Sequence, residues 1–452
     1  MKIHQIFLGA AFTCALAQLP LSAAVNVTPA VANLSADSAQ TAASPSWTSL
    51  PPITIAEGNG SANRGDFSPG TNVTLILRAP TGFEFNRHVT PSITFTSGRD
   101  ITAASLVMNN PNSMTVTLTI KGSAGTDAFV IGSTNALQMR PTQGTPLVSG
   151  NVYRPTSGGT AVLNGLVTTG NSTGTDGTSF ASLALVAGNA QSLVFTVEPN
   201  NAVVGQPFGT QPVIRTRDQF GNNTSAGLPT SLDITTSLLA GTGSLVGTTT
   251  LNIGTEGGNG VIGYSDLQID AAGSGKQLAV AGGSLAPATS ALFNVGKGSQ
   301  AITFGTLNNK TLGDLPFTVS ATASSGLPVS FSVVSGPATV LGDLVTLTGT
   351  GNVIIRAEQA GNINWNEATA VEQTFEVAAP AVPPSVTITK LPGQKAVIHV
   401  NGDPSQTFRV EGSDSLDGVW EEIQTVASDS EGLVFFEDDS VSTTRFYRAV
   451  AP

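Results

Sequence analysis

Met114-Thr115-Val116-Thr117-Leu118-Thr119-Ile120 alternates apolar residues with threonine without a break. A period of two puts Met114, Val116, Leu118 and Ile120 on one face of an extended chain and the threonines on the other, the pattern of a half-buried β-strand. Upstream, Val73, Leu75 and Leu77 alternate in the same way with Thr74, Ile76 and Arg78. Turn clusters such as Asn109-Asn110-Pro111-Asn112 and Ser157-Gly158-Gly159 separate such runs. No segment carries a helical stripe bounded by caps. Short strands at this spacing predict an all-β chain of sandwiches.

A second regularity sets how many. Gln191, Phe195, Pro207 and Phe208 reappear as Gln300, Phe304, Pro316 and Phe317, each about 109 positions on, and Asn200 and Asn309 keep the register. Ala291-Leu292-Phe293-Asn294-Val295 is answered by Gln373-Thr374-Phe375-Glu376-Val377. A period of this length fits a whole domain, since solenoid units run roughly 20 to 50 residues. The predicted organisation is a signal peptide over 1–24, a flexible Ala/Ser/Thr/Asn-rich lead-in over 25–46 and an N-terminal sandwich over 47–189. Further sandwich domains over 190–296 and 299–378 and a C-terminal domain over 385–452 complete it. Gly296-Lys297-Gly298 reads as a short linker, and Ala378 to Pro384, with three prolines, as a stiff spacer.

Composition narrows the function classes. Only 11% of residues are charged and 40% are hydrophobic, with a formal net charge of -11. Few charges with high apolar content oppose disorder, and an acidic balance leaves no footprint for a phosphate backbone, so nucleic acid is not an expected partner. Lys2, the apolar run Ile6 to Leu21 and Ser22-Ala23-Ala24 form the n-region, core and cleavage site of an export signal. Gln18 and Pro20 interrupt that run, which is short for a membrane anchor, and no later stretch is long enough to span a bilayer. The single cysteine, Cys14, lies inside the signal. The mature chain therefore has no disulfide, thiolate nucleophile or Cys-ligated metal, and each domain must hold by packing alone.

The second domain resembles the bacterial Ig-like repeats found in tandem in invasin-type surface proteins. The residues that carry the likeness are Leu193-Val194-Phe195, Asp218-Gln219-Phe220-Gly221-Asn222, and Leu267-Gln268-Ile269-Asp270 with Ala272-Gly273-Ser274-Gly275. In the Asp-Gly-Asn turn, Asp bonds its own downstream amides while Gly or Asn accepts a positive φ. The third resembles an Ig-like repeat of long secreted bacterial proteins through Ile302-Thr303-Phe304, Ser325-Gly326-Leu327-Pro328-Val329 and Ala360-Gly361-Asn362 followed by Trp365. The fourth is similar to a small fibronectin-like module that closes such proteins, through Ser413, Leu416, Trp420 and Arg445-Phe446-Tyr447-Arg448. The resemblance implies a sandwich fold and a surface location; one sandwich hosts many roles.

Candidate chemistry is sparse. Beyond the signal the only histidines are His88 and His399; each reads as a strand-edge or partly exposed residue, and no nucleophile elbow or two-histidine zinc motif accompanies them. Glu57 with Asp66, or Glu421 with Glu422, could pair for glycoside hydrolysis, but neighbours on a strand point to opposite faces and solvated roles are the plainer reading. Calcium, which takes oxygen ligands alone, is the most credible ion. Asp414, Asp417 and Glu421, with Glu437-Asp438-Asp439, cluster in the fourth domain, without EF-hand spacing and readable as solubilising turns. Arg64-Gly65-Asp66 spells an integrin-read tripeptide in a turn-rich loop, a short match that chance explains. Trp47, Trp365 and Trp420 could stack on sugar rings; for Trp365 and Trp420 core packing is the default.

The expectation is an exported, non-catalytic structural or adhesive protein with no cofactor, metal or catalytic site, whose partners are cell-surface components or polysaccharide. The alternatives are a secreted carbohydrate-binding protein and, behind it, a glycoside hydrolase.

Overall fold

Met114, Val116, Leu118 and Ile120 are buried in the strand Ser113–Ile120, and its threonines are half-exposed, as their alternation requires. The computed structural model describes residues 24–58, 66–97, 99–122, 126–391, 395–438 and 445–450. The expected signal peptide and Cys14 lie outside them, apart from Ala24. Strands make up 49% of the described residues. Among the described residues the single helical segment is a 3-10 turn, Ala36–Ser38. Among the described residues no helix is long and apolar enough to cross a membrane.

Four sheets enclose one core in the first module. Ser113–Ile120 is the centre of a three-stranded sheet between Gly70–Arg78 and Ile101–Asn110. A four-stranded sheet runs Asn26–Thr28, Ile53–Ala56, Ala128–Ile131, Ile93–Phe95. Two three-stranded sheets centre on Gln138–Pro141 and Ala181–Val186. Phe67, Phe83, Phe85, Phe129 and Phe180 fill the interior.

The expected flexible lead-in over 25–46 is corrected here. Asn26–Thr28 pairs with Ile53–Ala56, and Ala30–Ser35 pairs in parallel with Ala181–Val186 along its whole length. Leu34, Ala36 and Ala39 are fully buried. The inward positions are mostly alanine, so the hydropathy contrast that announces a strand is weak. The module therefore begins at Val25, not at Trp47.

In the second module Ser192–Val197, Val213–Arg217 and Val261–Gly263 form one sheet, and the long strands Asp233–Ala240 and Gly273–Ala281 anchor another. Phe195, Ile214 and Ile262 from the first and Ile234, Leu278, Val280 and Phe293 from the second are buried. The third module has a four-stranded sheet, Lys310–Thr311, Val371–Ala378, Gly351–Glu358, Ser330–Ser335, a three-stranded one and a two-stranded ribbon. Val345, Val353, Ile355 and Phe375 form its centre. The 109-residue repeat becomes physical in an edge-on aromatic pair, Phe208 with Phe293 at 5.2 Å in one module and Phe317 with Phe375 at 5.6 Å in the next. The asparagine register shifts by one: Asn201 Oδ1 accepts from Asn294 N as Asn309 Oδ1 accepts from Glu376 N, so Asn201 rather than Asn200 is the counterpart of Asn309. The fourth module is two three-stranded sheets, Ser385–Leu391, Lys395–Asn401, Leu433–Asp438 and Glu421–Ala427, Thr407–Ser413, Phe446–Val450, closed on Ile398, Phe408 and Val410.

The expected linker residues are absorbed into modules. Gly296 ends the strand Phe293–Gly296, and Gly298 bridges Trp365. Residues 24–296 belong to one compact unit and 297 onward to another. Inside the first unit, the turn Asp218-Gln219-Phe220-Gly221-Asn222 joins the two modules. Asp218 Oδ1 accepts from the amides of Phe220 and Asn222, both at 2.9 Å, and Oδ2 from Gly188 N at 2.8 Å. Gly221 takes the expected positive φ, 84°. The turn then reaches across: Asn222 Nδ2 donates to Gly144 O at 2.8 Å and Gln219 Nε2 to Asp37 Oδ1 at 2.9 Å. Phe220 packs on the core of the first module, and a Cβ at Gly144 would lie 2.1 Å from its ring.

Candidate functional site

The Asn109-Asn110-Pro111-Asn112 turn is the tip of the hairpin made by Ile101–Asn110 and Ser113–Ile120, held by Asn110 Oδ1 accepting from Asn112 N at 2.8 Å. It forms one wall of a cavity of about 640 Å³ in the first module. Pro80 to Phe83 supply another wall, fixed where Thr81 N donates to Ser172 O and Thr142 N to Gly82 O. Tyr153 is buried at the floor and shares two backbone hydrogen bonds with Arg78. Arg78 is the one charged side chain of the lining, and Thr81, Asn110, Asn112 and Ser172 stand exposed around it. One cation with side-chain amides and hydroxyls is a donor and acceptor set suited to neutral or weakly acidic polyols. Sequence reasoning recognised the turn but not the cavity, because the walls come from segments far apart in the chain.

Glu57 and Asp66, proposed as a carboxylate pair, do come together, and Asp127 joins them. All three are buried, at 5%, 0% and 1% exposure. A hydrolase needs its carboxyl groups flanking a bound sugar; these are shielded from solvent. The same burial removes the acid of Arg64-Gly65-Asp66 from any partner, while Arg64 and Gly65 lie outside the described residues.

The remaining candidates are dispersed. His88 is exposed beside Arg87, and its backbone N donates to Asn86 Oδ1. His399 stacks edge-on against Phe435 at 4.6 Å within its sheet, on the face opposite buried Ile398. Glu421 and Glu422 are both exposed, and Glu422 accepts from Thr425 Oγ1 at 2.7 Å. Asp414 and Asp417 are exposed, whereas Asp438 is buried, accepts from Tyr447 OH at 3.0 Å and lies 3.8 Å from Arg445. Burial and the neighbouring carboxylate push the Tyr447 hydroxyl up to about 12. An arginine and a phenol already serve Asp438, so the acidic cluster weighed as a calcium site loses a ligand. Asp439 lies outside the described residues.

None of the tryptophans is a core residue, which corrects the packing expectation for Trp365 and Trp420. All three are half-buried. Arg448 covers the Trp420 ring at 4.4 Å, and Arg140, paired to Glu84 at 2.7 Å, covers the Trp47 ring at 4.1 Å. A guanidinium on the ring occupies a face that a sugar would need.

The sheets and cores define an all-β protein of tandem Ig-like β-sandwiches. No family model and no curated protein matches the chain. Among solved structures it is similar to a tetra-tandem repeat from the extending region of a large adhesion protein, at 13% identity over 93% of this chain and 95% of that one, with a TM-score of 0.22. It is also similar to the protocadherin GammaB4 extracellular domain, at 10% identity over 89% and 72% with a TM-score of 0.24. The BSP domain of a biofilm-associated protein gives 11% over 95% and 93% with a TM-score of 0.16. The class rests on the sheets described above.

Proposed function

We propose that this chain is an exported, non-catalytic structural or adhesive protein that holds its first module as a recognition surface. The observation that carries this reading is the repeated scaffold. The second and third modules share the Phe–Phe edge contact and an asparagine clasp on the last strand. What recurs between them is the means of holding a sandwich closed. The third module, with its likeness to an Ig-like repeat of long secreted bacterial proteins, and the fourth, with its likeness to a fibronectin-like module, act as spacers.

Deleting residues 24–188 is the direct test. Loss of adhesion by cells displaying the shortened chain, with display itself intact, is the expected result; unchanged adhesion sinks the assignment. Fractionation of cells and medium, probed with an antibody, checks export. The cavity around Arg78 favours a second reading, a polysaccharide ligand. A glycan array should then give signals that Arg78→Ala lowers about tenfold, the loss of one charge-assisted hydrogen bond.

A further inference from the structure

Arg78 ends the strand Gly70–Arg78 and stands exposed at the cavity of the first module. Its main chain is spent on Tyr153, yet among the described residues its guanidinium has neither a hydrogen bond nor an ion pair. Other arginines differ: Arg140, Arg356 and Arg448 each meet a glutamate, at 2.7, 2.7 and 2.6 Å. Among the described residues no carboxylate lines the cavity, and the acid nearest to Arg78 in sequence, Glu84, is the one that Arg140 neutralises. Asn110 adds an oriented donor. Its Oδ1 accepts from Asn112 N at 2.8 Å; the NH₂ end of an amide cannot accept that proton, so the bond fixes the side chain and leaves Nδ2 to donate. Tyr153 is only 6% exposed, and its hydroxyl has no partner among the described residues. A cationic fork, an amide donor and a phenol therefore line one cavity, and the fold uses none of them. Apolar surface is scant there: Ala79, Pro80 and Phe83 are buried and Pro111 is half-buried. Such a lining suits a hydrated ligand, not an oily one.

We propose that this cavity binds a uronate, a sugar whose ring carries a carboxylate, as part of an acidic polysaccharide. The planar fork of Arg78 matches the two carboxylate oxygens with two parallel N–H bonds, which a lysine cannot do. Ring hydroxyls accept from Asn110 Nδ2 and exchange hydrogen bonds with the Tyr153 hydroxyl. The inference rests on the second reading above, recognition of a polysaccharide by the first module, and names its class. The net charge of -11 repels an acidic polymer at a distance. At physiological salt that field is screened beyond about 8 Å, so contact at Arg78 decides.

Isothermal titration of the full chain with hexamers of galacturonate, mannuronate and hyaluronate tests this, beside two uncharged probes, methyl-esterified hexagalacturonate and maltohexaose. At least one acidic hexamer should bind about tenfold tighter than either uncharged probe. R78A should remove that advantage, and R78K, which keeps the charge without the fork, should restore only part of it. N110D keeps the oxygen that holds Asn112 N and replaces the donor with a negative charge, so it should weaken acidic binding about tenfold as well. Arg87→Ala, exposed elsewhere in the same module, should change nothing. Binding of the uncharged probes as tight as that of the acids, or acidic binding untouched by R78A, overturns the uronate and leaves polysaccharide recognition standing. No binding by any of the five probes to the unaltered chain overturns both, whatever the variants do.

Discussion

Asp66 and Asp127 carry opposite obligations. Their backbone donors favour the ionised form, but burial, the stronger influence, and the nearby Glu57 charge raise both above the usual carboxylate range, with Asp100 adding to Asp127. A raised folded-state value means that the native chain holds these protons more tightly than the unfolded chain does. The stability they contribute is full below the unfolded value near about 4 and is lost as pH rises through the raised one. The unit over residues 24–296 should melt higher at mildly acidic than at neutral pH, and D66N with D127N should flatten that slope in a calorimetric pH series. Glu411 in the fourth module runs the other way: the hydrogen bond from Arg448, with Arg409 alongside, lowers its value, so its contribution is lost as pH falls through that depressed value. The Glu57–Asp66 half of the cluster was legible because the two are close in sequence. Asp127 lies 70 positions from Glu57, and nothing local marks it as their neighbour.

The Asp218 turn shows how an element can be read correctly and its use missed. Asp, Gly and Asn announce a self-bonded turn with a positive φ, which is what forms. Its role as a joint depends on Asp37 and Gly144, distant in the chain, and no pattern in the turn points to them. Asp218→Ala strips hydrogen bonds from Gly188, Phe220 and Asn222 around a buried carboxylate, at a cost of about 3 kcal/mol. The single unfolding transition expected of residues 24–296 should then split in two by calorimetry. Gly144→Ala drives a methyl into the Phe220 ring and should cost about 1 to 3 kcal/mol at the same joint. Phe375→Ala, which removes half of an aromatic pair and leaves a cavity, should lower the third module alone by about 3 to 5 kcal/mol in urea unfolding. The alanine-rich strand Ala30–Ser35 is the converse case: its partner Ala181–Val186 supplies the definition that its own sequence lacks.

Across the whole chain, the first three modules tie an early strand in parallel to their last one. Ala30–Ser35 lies along Ala181–Val186, Ala202–Val203 along Phe293–Gly296, and Lys310–Thr311 along Val371–Ala378. Among the described strands of the fourth module, Ser385–Leu391 pairs with Lys395–Asn401, and Phe446–Val450 with Thr407–Ser413. Tension applied through the termini slides parallel partners past each other, so their hydrogen bonds are sheared together instead of peeling singly. Rupture under load is governed by the unfolding rate, and single-molecule pulling should find the first module, with its six-residue tie, yielding last. The fourth should give way first, a mechanical fuse that lengthens under strain and spares the modules upstream.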